Sequence, residues 1–192
     1  MQSHPCYLLT HFRAYALQRH RPLTLQRTID LPYIAPDDPE APIISGFFDL
    51  ISLFQSIDDN FVALWNVSTR THTLPFVSEE AASISARQLS ALQDMLAVSI
   101  PDVKNRTEVQ QADLLISRQW LKTMVWQLCV TKGLLSSAKD VDESMSFHYP
   151  VLIARDMVKA GTALRREAFE PHGQGIVSLG HFAKTVNEKL TA

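Results

Sequence analysis

A chain of 192 residues with 46% hydrophobic and 20% charged side chains has the composition of an ordinary soluble globular protein. It is long enough to bury a substantial core as one medium domain. A net charge of −2 and a pI near 6.4 exclude a global basic field that would draw in nucleic acid. Cys6 and Cys129, the two cysteines, are too few for a disulfide framework or a four-cysteine zinc site, and a reducing intracellular compartment fits. Met1 to Pro5 lacks the basic and apolar regions of a signal peptide, and no window approaches the ~18 uninterrupted apolar residues of a membrane span.

Residues 6 to 19 favour a helix. Pro22 disfavours α geometry at Arg21, so this helix should end near Arg19 or His20, with Arg19, His20 and Arg21 carrying the charge that suits a helix C-terminus. The stretch from His20 through Pro42 holds five prolines (22, 32, 36, 39 and 42) and the acidic run Asp37, Asp38 and Glu40. The segment 20–42 is therefore not helical, and the alternating Leu23, Leu25, Ile29 and Leu31 predict an extended strip.

From Ile43 the period becomes helical. Phe47, Leu50, Ile51, Phe54, Ile57, Phe61, Leu64 and Trp65 form one apolar stripe, which predicts a long helix with a kink near Asp58-Asp59-Asn60. Adjacent aspartates on a helix diverge by about 100°, so Asp58 and Asp59 belong to a solvated face and not to a metal site. Thr69 to Ser78 reads as a loop. Residues 79–99 form a helix capped by Ser78, with the stripe Ile84, Leu89, Leu92 and Leu96.

The next helix starts at 106–108, capped by Asn105 or Thr107, and runs to Lys132 with Gly133 as its left-handed terminator. Its second half, Trp120 to Val130, is apolar nearly all round, the mark of a buried central helix in which Trp120, Met124, Trp126 and Cys129 are core. A polar connection, 134–149, leads to Pro150 in the first turn of a helix 150–168. Val151, Ala154, Met157 or Val158, Gly161 and Leu164 face one side of it, and Ala160, Gly161 and Ala163 would allow close helix approach. Pro171 opens a last helix. The class is all-α: six helices in a bundle, one extended Pro-rich segment and no sheet.

The search for chemistry yields no catalytic, cofactor-binding or metal-ligating set. There is no glycine-rich phosphate loop, no nucleophile elbow and no histidine pair spaced for a metal, so the chain reads as binding or regulatory and not as an enzyme. Pro171-His172-Gly173-Gln174-Gly175 could present amides to an anion, but such glycines more often serve tight packing. Arg13, Arg19, His20, Arg21 and Arg27 could touch phosphate, yet aromatics do not interleave with them, and a salt-bridged helix end is the better reading.

One stretch, Arg13-Ala14-Tyr15-Ala16-Leu17-Gln18-Arg19-His20-Arg21-Pro22 followed by Thr28-Ile29-Asp30-Leu31-Pro32, resembles the regulatory middle homology domain of fungal binuclear-zinc-cluster transcription factors, above all the sugar-utilisation activators. Further stretches agree in order. They are Ile44-Ser45-Gly46-Phe47 through Asp59, Gln119 through Leu128 with Trp120 and Trp126, Ser144 through Tyr149-Pro150 with Ile153-Ala154-Arg155-Asp156, and His172-Gly173. The resemblance covers most of residues 7–185.

It implies the regulatory domain of a nuclear fungal transcription factor for carbon-source or secondary-metabolite genes. Arg13, Tyr15, Arg19, His20, Arg21, Pro22, Trp120, Trp126, Tyr149, Pro150, Arg155, His172 and Gly173 would be its structural or regulatory marks. The implied partners are co-regulators or a full-length paralogue, with a small-molecule inducer. DNA contact and zinc are expected only through a six-cysteine cluster that this chain does not contain. The match begins close to Met1, which leads to the expectation of a C-terminal half of such a domain, 1–192. The alternative is a stand-alone helical interaction module derived from such a factor.

Overall fold

The computed structural model describes residues 4–23, 33–35, 37–70, 79–98, 103–137 and 142–172, without the side chains of 4–9, 11, 68–70, 79–85 and 172. Among the described residues there are six α-helices and no strand. The extended strip through 24–32, the cap at Ser78, the stripe position Ile84, Gly173 and most of the expected last helix lie outside what is described. Two compact units divide the chain, Met1–Pro75 and Phe76–Ala192.

The first unit contains α1 (His4–Arg19), α2 (Ala41–Gln55) and α3 (Asp59–Arg70). The stripe from Phe47 to Trp65 is a core as expected, with Ile51, Phe54, Ile57, Phe61 and Trp65 buried together with Leu17 of α1. The kink expected near Asp58-Asp59-Asn60 is a full break, however, which divides the long helix into α2 and α3. Ser56 turns its hydroxyl back onto the Leu53 carbonyl at 2.7 Å, and Asp58 accepts the Phe61 N–H at 2.7 Å. A serine closing one helix and an aspartate capping the next outweigh the continuous apolar pattern.

The second unit contains α4 (Glu79–Ala97), α5 (Glu108–Thr131) and α6 (Tyr149–Ala163). Helix α5 is central. Its N-terminus carries a capping box in which Thr107 and Gln110 satisfy each other's backbone N–H groups, a local device that needs no tertiary help. Its C-terminus closes at Gly133, φ +66°, with Gly133 N–H on the Val130 carbonyl and Leu134 N–H on the Cys129 carbonyl, both 3.0 Å. That is the paired bond pattern of a left-handed helix stop.

Helix α6 departs from expectation in extent. It ends at Ala163, where Leu164 turns extended, and a 3-10 turn Arg166–Ala168 follows. Here Ala168 packs on Ala112 and Ile116 of α5, joined by Trp120, Met157, Leu164 and Phe169. The most buried residues of α6 are Tyr149, Pro150 and Ile153; of the expected stripe, Met157 and Leu164 pack on the Ala168 cluster, and Val151 and Ala154 are half-buried. Gly161 and Ala163 are exposed, and a Cβ at Gly161 would meet nothing within 4 Å, so no described helix approaches there. Pro171 lies within a 3-10 turn, Glu170–His172.

Candidate functional site

Two places gather polar side chains inside otherwise apolar surroundings, one in each unit. In the first, α1 ends with His20 at φ +51°, the left-handed region that L residues enter only at some cost. Arg21 N–H reaches the Ala16 carbonyl at 2.9 Å, and the Trp65 indole N–H of α3 reaches the Leu17 carbonyl at 3.0 Å. His20 stacks on Trp65 with ring centroids 5.7 Å apart, and Asn66 Nδ2 donates to the Arg21 carbonyl at 3.0 Å. Arg13, 5% exposed, donates to the Phe54 carbonyl at the end of α2, 3.4 Å. Side chains thus complete two helix C-termini that would otherwise hold unsatisfied carbonyls.

The second place is built on α4, α5 and α6. Gln93 of α4 is 1% exposed. Its Nε2 donates to the Lys122 carbonyl of α5 at 3.0 Å, and its Oε1 accepts the Tyr149 hydroxyl of α6 at 3.1 Å. One buried amide therefore ties three helices together with both ends satisfied. Arg118, Gln119 and Lys122 follow at helical spacing on one side of α5. Lys122 is 7% exposed and Gln119 2%.

Burial pushes the Lys122 ammonium down from the ordinary lysine range, the neighbouring Arg118 charge adds to the fall, and the Asp156 carboxylate opposes it. Burial likewise lowers Arg118, with Asp156 of α6 acting in the opposite sense. Burial raises the Tyr149 hydroxyl, helped by the negative charges of Asp142 and Asp156. Arg118 Nε and Gln119 Oε1 are buried with no hydrogen-bond partner. Asp156 instead lies 3.9 Å from Lys159.

Beside this cluster, Trp126 Nε1 donates to the Ser146 carbonyl at 3.0 Å. Asp142 accepts the Ser90 hydroxyl and the Ser144 N–H. Burial pulls the Asp142 carboxyl up, but hydrogen bonds from Ser90 and Ser144 outweigh it and leave it lowered. The Cys129 sulfur lies 3.6 Å from the Met145 sulfur, and burial pushes its thiol up to about 12.

The thirteen residues singled out from the sequence therefore separate. Arg13 is buried and His20 half-buried in the first unit, whereas Tyr15, Arg19, Arg21 and Pro22 are exposed. Tyr149 belongs to the second cluster, Pro150 is buried next to it, and Trp120 and Trp126 pack against α5's neighbours. Arg155 is exposed. Only the backbone of His172 is described, and Gly173 lies outside. Gln93, Arg118, Gln119 and Lys122 were not singled out. Their signal was a polar residue inside an apolar stripe, Gln93 between Leu92 and Leu96 and Lys122 within the run 120–130.

No group of histidine, cysteine, aspartate or glutamate that could hold a metal is found among the described residues. Nor is any described helix long and apolar enough to cross a membrane.

No protein-family model matches the chain, and no solved structure matches it. Over 160 residues, 81% of its length, the chain is 22% identical to the probable sucrose utilization protein SUC1 of Candida albicans. It spans 29% of that protein's length, and the likeness is to a part of a protein named for sugar utilisation.

Proposed function

We propose that this chain is a helical regulatory domain acting in the control of sugar utilisation, of the kind found in fungal zinc-cluster transcription factors. The supporting observation is the likeness over 81% of the chain to a protein named for sucrose utilisation. Of the residues that prompt the same reading from sequence, Arg13, Tyr149 and Pro150 are buried and His20 and Trp126 half-buried, while Tyr15, Arg19, Arg21, Pro22 and Arg155 are exposed. In this reading the role is binding and not catalysis, and the polar side chains of both clusters close helix ends or join helices.

In this reading the domain works in the nucleus on protein partners, co-regulators or a full-length paralogue, and responds to a small-molecule inducer. DNA and zinc would be handled outside these 192 residues, whose two cysteines cannot form a six-cysteine cluster. The experiment is a tethered reporter. The chain is placed between a heterologous DNA-binding domain and a constant activation segment, and output is read with and without sucrose. A regulatory domain changes output several-fold with the sugar; sugar-independent output equal to that of the fusion lacking the chain contradicts the reading.

A further inference from the structure

We propose that residues 164–169 of the second unit form a strap that lifts from α5 as one piece while the helices stay folded, with the Glu108–Arg165 pair as its salt-sensitive latch. This inference stands on the geometry of that unit and does not depend on the regulatory reading.

The course of the chain comes first. Helix α6 ends at Ala163, and Leu164 and Arg165 are both extended, with ψ 153° and 149°. The chain then lies on α5 as the 3-10 turn Arg166–Ala168. A turn this short has little stability of its own and keeps its shape through what it rests on. Its Ala168 and Phe169 N–H groups donate to the Arg165 and Arg166 carbonyls, both at 3.0 Å. Those bonds lie within the strap and add no tie to α5.

The holds on α5 come second. Ala168, 3% exposed, packs on Ala112 and Ile116, with Leu164 and Phe169 partly buried beside it. The centre of this contact is a single methyl group. A polar hold comes from Glu108 Oε2, which accepts Arg165 Nε at 2.9 Å and the Arg165 N–H at 3.4 Å. The Arg165 side chain is 79% exposed and that of Glu108 37%, so water and salt compete for the pair. Glu167 also acts on Arg165, but it belongs to the strap and moves with it. The three helices, by contrast, are joined by the buried Gln93 amide. Modest apolar burial and an exposed ion pair mark a segment that opens below the free energy of global unfolding. Lifting it uncovers Ala112 and Ile116, 0% and 8% exposed when it is down, so the strap is a cover over an apolar face of α5.

Amide hydrogen exchange of the full chain, followed by NMR in 0 to 1 M urea at fixed pH, tests this. The Ala168 and Phe169 amides report the strap, and those of Leu121, Val125 and Leu128, all fully buried in α5, report global unfolding. The expected result is one shared protection factor for the two strap amides, roughly tenfold or more below the α5 values and insensitive to urea, while the α5 values fall with urea. Glu108→Gln and Arg165→Gln should each lower strap protection about two- to five-fold, and the double variant no further than either. Loss of the Glu108 charge at the α5 N-terminus does not mimic this, because α5 stays helical whether the strap is down or lifted. Added 1 M NaCl should lower strap protection in the native chain and less so in Glu108→Gln. Strap amides that exchange with the α5 rates and urea dependence overturn the proposal. So do Ala168 and Phe169 amides with unrelated protection, single variants without effect, a double variant whose loss is the product of the two, or a strap indifferent to salt.

Discussion

The Trp65 indole N–H lies 3.0 Å from the Leu17 carbonyl, so α3 supplies the hydrogen bond that closes α1. Because His20 then turns left-handed and stacks on the same indole, one aromatic side chain fixes both the end of the helix and the direction of the chain leaving it. Trp65→Phe keeps a ring but leaves the Leu17 carbonyl short of a donor. The expected loss is about 1–2 kcal/mol of stability, read as a lower urea midpoint with unchanged slope.

Gln93 makes a sharper case, because its amide satisfies a carbonyl on α5 and a hydroxyl on α6 at once. Tyr149→Phe removes one hydrogen bond and should cost about 0.5–1.5 kcal/mol. Gln93→Leu strands both partners and should cost about 2–4 kcal/mol. Since the two residues share a bond, the double variant should lose less than the sum, which a double-mutant cycle in urea measures directly.

What the sequence could and could not reveal follows from where each determinant lies. The ends of α5 were legible because their causes are local: Thr107 and Gln110 cap one end, and Gly133 stops the other. The apolar core of α2 and α3 was legible from spacing, and so was a bend near Asp58; that the bend is a full break was not, since Ile57 continues the stripe. The end of α6 was set from afar. Arg165, beyond the helix, donates from Nε to Glu108 at 2.9 Å, and Ala168 packs on Ala112 and Ile116. No pattern within 150–168 encodes those contacts. The polar cluster was hidden for the same reason: Lys122 and Gln93 matter only once three helices meet.

Gly133 and Thr107 give two independent checks on α5. A Cβ at Gly133 would meet nothing within 4 Å, so Gly133→Ala carries backbone strain alone, about 1–2 kcal/mol. Thr107→Ala removes the cap and should cost about 0.5–2 kcal/mol. The sites are at opposite ends of the helix, and the double variant should show additive losses.

Burial of Cys129 predicts an alkaline limb in stability. Burial pushes its thiol from the ordinary 9.0 up to about 12. The folded pKa is raised, so this contribution is complete below 9 and is lost as pH climbs toward 12. Tyr149, also raised by burial, acts in the same sense above its ordinary 10.0. Lys122 has the opposite sign, because its depressed pKa makes the buried charge a cost that alkaline pH relieves. Urea midpoints across this range should fall with pH, and less steeply in Cys129→Ala. The native thiol should also react slowly with a disulfide reagent and rapidly once unfolded.

The regulatory role itself is tested most directly by the tethered reporter, with a fixed activation segment and sucrose as the only variable. The account predicts output that changes several-fold with the sugar and loses that response in a Trp65→Phe, Gln93→Leu double variant whose abundance is verified. Output that ignores sucrose and equals that of the fusion without the chain would contradict it.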